Sequence, residues 1–152
     1  MPLDTLNRRI LAALQSNGRL SNTELAEQIN LSASACHRRV RNLERSGVIE
    51  RYVAVVNQRA IGKPSNVFVE ISLESQREDA LEAFEKAARD CPDILECYLM
   101  AGDADYLLRV AIADAEDYER FHRQHLSKFP AVARIRSSFA LREVSRKTAI
   151  AL

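Results

Sequence analysis

The feature that most restricts the fold is a regular change of apolar period over residues 67–145. "VFVEISLE" alternates as a strand does, and "REDALEAFEKAARDC" then repeats at helical spacing. "ILECYLMA" and "YLLRVAIA" read as two further strands joined by the turn "GDAD". "AEDYERFHRQHLSKF" returns to helical spacing, and "VARIRSSFALREV" closes the series as a strand. The order β-α-β-β-α-β is the ferredoxin-like pattern of two split βαβ units, and its halves form a loose internal duplication. It predicts one antiparallel sheet with the helices on one face. The strands hold more apolar residues than one covered face needs. The other face is therefore expected to meet a second sheet, most simply that of another copy.

The preceding residues read differently. In "LDTLNRRILAALQSNG", Leu6, Ile10, Ala13 and Leu14 fall at helical spacing, with Asp4 as N-cap and Gly18 beyond the end. Ser21 and Glu24 form a capping box that opens a second, shorter helix with Leu25, Ala26 and Ile29 as its apolar face. Asn30 is a turn residue and Leu31 plugs the gap. Ser32 caps a third helix that stops at Gly47. Three short helices with tight turns fit a helix-turn-helix unit. "VIERYVAVVNQ", residues 48–58, favours a connecting strand, and "RAIGKPSN" is the best linker. The expected domains are 1–50, a connecting strand and linker over 51–66, and 67–152.

The net charge of +1 hides an asymmetry. Residues 1–60 carry nine Arg or Lys against five Asp or Glu, and residues 61–152 carry thirteen against sixteen. The basic front concentrates in the third helix, "SASACHRRVRNLERSGVI" over 32–49. At about 100° per residue, Arg38, Arg41 and Arg45 fall within about 40° of Ser34, opposite an apolar stripe of Cys36, Val40 and Leu43. Arg39 and Asn42 lie on one flank and His37 on the other. Like charges on such a ladder repel by about 0.2–0.5 kcal/mol per pair. The first turn has no acidic side chain, so its N–H groups stay free for an anion. A DNA phosphate answers both features, and Arg and Asn suit base edges in the major groove. The candidate contacts to double-stranded DNA are Ser32, Ser34, Ala35, His37, Arg38, Arg39, Arg41, Asn42 and Arg45. A merely solvated amphipathic face is the alternative, and the two helices before it weigh against that. His37 fits DNA contact or solvent equally.

Other function classes find little support. Cys36, Cys91 and Cys97 are odd in number and show no CxxC spacing, which predicts free, buried thiols and neither a disulfide framework nor zinc. His122 and His125 lie three apart on an expected helix, but no HExxH glutamate accompanies them. No metal or cofactor is expected. No G-x-S-x-G, P-loop or GxGxxG occurs, and no catalytic residue is assigned. There is no apolar run of membrane-spanning length and no signal-peptide core, so the expectation is a cytoplasmic protein with no membrane partner.

"RLSNTELAEQINLSASACHRRVRNLERSGVI" resembles the helix-turn-helix of the Lrp/AsnC family of amino-acid-responsive transcriptional regulators. "ECYLMAGDADYLLRV" resembles the family's Gly-Asp-x-Asp-Tyr turn, and "IRSSFALREVSRKTAIAL" its leucine-responsive and branched-chain-catabolism branch. The resemblance spans essentially the whole chain. Ala33 and Ala35 depart from it where proline is frequent, and Asn7 where aspartate is common. The implied fold class is α+β: a winged helix-turn-helix domain joined by a strand linker to a ferredoxin-like βαββαβ effector-binding domain. The implied assembly is a homodimer of facing sheets, built up to a tetramer or octamer and associated with the nucleoid. The implied effector is a small amino acid, which Leu99 and Phe139 tilt towards an apolar one such as leucine. Its pocket would draw on Leu99, Met100, Ala101, Gly102, Asp103 and Asp105 of the turn, with Asp105 pairing with the ammonium. Ser137, Ser138, Phe139 and Ala140 of the last strand would complete it. Against this, "AGDADY" also reads as a plain hairpin turn. The expected function is a sequence-specific regulator that changes assembly or DNA binding when the amino acid binds. The second hypothesis is an effector-independent organiser of the nucleoid.

Overall fold

A computed structural model describes residues 3–152. The chain divides into two compact units, one running to Val55 together with Ser145–Leu152, the other spanning Val56–Val144.

The first unit holds helices α1 (Thr5–Ser16), α2 (Asn22–Ile29) and α3 (Ala33–Arg45). Local chemistry places each end. Asp4 caps α1 by accepting the Asn7 N–H at 2.7 Å. Both halves of the Ser21/Glu24 capping box form. Asn30 takes the left-handed conformation, φ 57°, and returns the chain between α2 and α3. Ser32 accepts the Ala35 N–H at 3.2 Å, and Gly47 (φ 73°) closes the C-terminal side of α3. Ile10, Leu25, Ala26, Ile29, Cys36 and Leu43 meet in the core of this unit. Each large apolar side chain so buried contributes about 1.5–3 kcal/mol.

One expectation fails in this unit. The strand expected over 48–58 does not form, and residues 51–57 join no ladder. Val53, Val55 and Val56 have strand propensity and are exposed, but a strand exists only against a partner, and none is offered among the described residues. Residues 145–152, expected with the second domain by sequence, pack within the first unit, which leaves the domain boundary itself open. The Gln15 amide secures them: it donates to the Ile150 carbonyl at 3.0 Å and accepts the Ile150 N–H at 2.7 Å.

The second unit holds β1 (Ser65–Leu73), α4 (Glu78–Asp90), β2 (Ile94–Leu99), β3 (Tyr106–Ile112), α5 (Ala115–Gln124) and β4 (Val132–Phe139). The sheet order is β2-β3-β1-β4, antiparallel throughout, as the split βαβ pattern requires. Val67, Val69, Ile71 and Leu73 of β1 alternate onto the helix side, where they pack with Phe84, Tyr106, Leu108, Val110 and Phe121. The helix expected to Phe129 ends at Gln124, and a 3₁₀ turn over Leu126–Lys128 tucks Leu126 into the core. The last strand, expected to run to Val144, stops at Phe139. Phe139 pairs with Val67 near the start of β1, and Ala140 makes the final bond, to the Asn66 carbonyl. Past that point there is little of β1 left to pair with.

The open face of the sheet is less apolar than expected. Phe68, Leu107 and Tyr98 share it with internally paired charges. Arg136 holds Glu70, while Arg109 donates to Glu96 at 2.8 Å and to Asn66 at 3.0 Å. Cys36 and Cys91 are buried free thiols as expected, but Cys97, on the edge strand β2, is exposed.

Candidate nucleic-acid interface and effector region

α3 is anchored by its apolar stripe. Cys36 and Leu43 are fully buried, and Val40 packs beside them. Asn22 fixes the approach of α2 by donating to the Ala33 carbonyl at 2.8 Å. With the stripe inward, Ser34, Arg38, Arg41 and Arg45 are all exposed. Arg38 and Arg41 form no ion pair among the described residues. Arg45 donates to the Asn42 side chain, so these two present a joined pair. Ser32 and Ser34 place their hydroxyls 3.3 Å apart at the helix start, where no acidic side chain opposes an anion.

The remaining candidates divide. Arg39 turns inward: its Nη1 donates to Asp4 Oδ2 at 2.7 Å and to Asn7 Oδ1 at 3.0 Å. It ties α3 to the cap of α1. The Asn7 N–H, followed by Arg39, holds the Asp4 carboxyl below its ordinary range. Asn7 itself is buried and accepts from Arg39. Ala35 is half-buried. His37 is exposed and borders a recess with Arg41, Glu44 and Tyr52, whose hydroxyl donates to Glu44 at 3.1 Å.

The effector candidates are not gathered in one place. Leu99 ends the edge strand β2, while Ser137, Ser138, Phe139 and Ala140 lie at the far end of the opposite edge, β4. Three inter-strand steps and four residues along β1 separate them, roughly 20 Å. Ser137 and Phe139 face the helices, where Tyr118 bonds the Ser137 hydroxyl and meets the Phe139 ring edge-on at 5.1 Å. Ser138 faces the open side with Phe68. Leu99, Met100, Ala101, Gly102 and Asp103 are exposed, and Gly102 (φ 156°) lies at the tip of the turn.

Asp105 is buried and already occupied. Its Oδ2 accepts the Leu73 N–H at 2.7 Å, and its Oδ1 accepts from Gln76 at 2.8 Å. Its backbone N–H donates to Ile71 and its carbonyl accepts from Met100. The carboxylate holds the turn to the end of β1, which leaves Asp103 as the exposed acid of the turn. Asp103 borders a cleft of about 360 Å³ with Glu70, Ser72, Ala104, Arg134 and Arg136. The Arg136 hydrogen bond is the main cause holding the Glu70 carboxyl below its ordinary range. Sequence reading passed over Arg134 and Arg136. Their signal is the alternation "RIR", which places both on the open face of β4.

Comparison with known proteins adds the following. A family profile described as a winged helix-turn-helix DNA-binding domain matches residues 3–50, and one described as the Lrp/AsnC ligand binding domain matches residues 66–150. The chain is 41% identical over 147 residues to the Bkd operon transcriptional regulator of Pseudomonas aeruginosa, covering 97% of this chain and 96% of that one. It is 37% identical over 150 residues to the leucine-responsive regulatory protein of Escherichia coli K12, covering 99% and 92%. A transcriptional regulator of Neisseria meningitidis, solved as a complex with L-Met, superposes with a TM-score of 0.92. It is 34% identical, over 98% of this chain and 96% of that chain.

Proposed function

We infer the function from one premise: this chain belongs to the Lrp/AsnC family of DNA-binding transcriptional regulators. It reads double-stranded DNA with α3. The observation that carries this is the outward ladder of Ser34, Arg38 and Arg41 on a helix buried along its opposite face. Arg38 and Arg41 meet phosphate or base edges, the Asn42–Arg45 pair meets a further contact, and the Ser32 end of the helix meets a phosphate. Arg39 positions the helix and does not read. A two-fold dimer sets two such helices one or more helical turns apart on a pseudo-palindrome.

The second unit senses a small amino acid, as the L-Met complex of the Neisseria regulator suggests by analogy. Asp103, exposed where Asp105 is occupied, takes the ammonium. The two halves of the effector region lie on opposite edges of one sheet, so they join only when copies assemble. Ligand binding then changes assembly or DNA affinity by its preference for one state over another. We read the chain as a regulator without catalytic activity.

The test is DNA binding across a salt series. Arg38→Ala and Arg41→Ala should each reduce the slope of log K against log salt by about 0.9 where the lost arginine touched a phosphate, with the oligomer unchanged. Wild-type affinity and slope in both variants would overturn the assignment of the reading face.

A further inference from the structure

Away from both regions, the fold brings together three side chains that no local motif connects. Cys91 is the C-cap of α4, Asp93 lies in the turn that follows, and His125 is the C-cap of α5. One ligand atom from each lies within 4.8 Å of the other two, and Cys91 is buried while Asp93 and His125 are half-buried. His125 Nε2 stands 3.7 Å from Asp93 Oδ2. That is too long for a hydrogen bond. It is close to the spacing of two ligands on one ion: tetrahedral bonds of about 2.0–2.3 Å put N, O and S donors about 3.3–3.6 Å apart.

We propose that Cys91, Asp93 and His125 form a three-ligand site for a divalent transition metal, of the class that zinc represents.

Three further features support it. Two helices end at the site, and the negative end of each helix dipole favours a cation there. Backbone bonds fix Cys91 in its turn: its N–H donates to the Ala88 carbonyl at 3.3 Å, and its carbonyl accepts the Ile94 N–H at 3.3 Å. Asp93 uses its two oxygens differently. Oδ2 faces His125, while Oδ1 lies 3.5 Å from Lys63 Nζ. Lys63 also reaches Asp117 at 3.8 Å and the Ala111 carbonyl at 3.5 Å. It can therefore orient the carboxylate from the side away from the ion, as outer partners of metal ligands do. Thiolate, imidazole and carboxylate together select zinc over magnesium or calcium, and three protein ligands leave a fourth position for water or a fourth donor. Binding releases the thiol proton and joins the α4–β2 turn to the end of α5.

The experiment titrates Co²⁺ into the reduced, untagged full chain and follows the near-ultraviolet thiolate-to-cobalt charge-transfer band. One equivalent per chain should produce the band, and Zn²⁺ should bleach it. Cys97→Ser should leave it intact, Cys91→Ser should abolish it, and His125→Asn and Asp93→Asn should weaken binding tenfold or more. Zn²⁺ should raise the thermal midpoint of the wild type but not that of His125→Asn. If Cys91→Ser fails to fold, the other two variants keep the thiol and decide the matter. No band in the wild type, a band that survives in Cys91→Ser, or unchanged affinity in both His125→Asn and Asp93→Asn would overturn the proposal.

Discussion

Removing the Asp105 side chain should destabilise the second unit far more than a surface turn residue would. Asp105 is 9% exposed, and its carboxylate accepts from the buried Leu73 N–H and from Gln76. In Asp105→Ala, Gln76 can turn towards water. The Leu73 N–H cannot, and stranding it costs about 1–3 kcal/mol, with the lost charge-assisted bond adding to that. The expected loss is about 2–4 kcal/mol, or roughly 10–20 °C in the midpoint of a domain this size. Asp105→Asn keeps an oxygen for Leu73 and should lose only about 1 kcal/mol. The assay is urea and thermal unfolding by circular dichroism at fixed protein concentration, because assembly makes midpoints depend on it. Amino-acid titration of the Asn variant runs alongside, and its response should persist. Either of two results would refute the reasoning. One is Asp105→Ala lying within about 0.5 kcal/mol of wild type. The other is a stable Asp105→Asn that no longer responds to any amino acid.

Arg39→Ala should lower the unfolding midpoint of the helical unit and leave the salt slope of DNA binding unchanged, in contrast to Arg38→Ala; paired unfolding and binding curves check this. Asp117 carries a pH dependence. The Ala113 N–H above all, then Lys63 and Arg120, hold its carboxyl below the ordinary range against the effect of burial. A folded-state value below the unfolded one gives stability that is present above the unfolded pKa and is lost as pH falls through the folded one. Asp117→Asn should therefore be less stable at neutral pH and should lose stability less steeply below about pH 4, measured by urea unfolding at stepped pH.

What could be read from the sequence was what depends on near neighbours. Asp4, the Ser21/Glu24 box, Asn30, Ser32 and Gly47 act within one turn of chain, and each sits where its chemistry put it. The period changes of residues 67–139 survive folding for the same reason. Illegible features depend on remote partners. The wheel of α3 cannot see α1, so Arg39 looked like a reader when Asp4 and Asn7 hold it. Asp105 is held by residues 32 and 29 positions away, and nothing in "GDAD" reports them. Nor does spacing report the grouping of Cys91, Asp93 and His125, because the fold brings them together across two helix ends. The failed strand over 48–58 is the same lesson: propensity was present, but the described residues offer no partner strand.

If the effector site is completed by a second copy, as proposed above, the roughly 20 Å between its two groups of residues has a quantitative consequence. A binding site completed by a second molecule responds to two concentrations at once. As the protein becomes more abundant, more sites are whole, and the amount of amino acid needed for half-response falls. Gene dosage would then set the threshold of sensing. Under this proposal, a cell holding few copies would be insensitive to a nutrient level that a cell holding many detects, with no change in any residue of the proposed pocket.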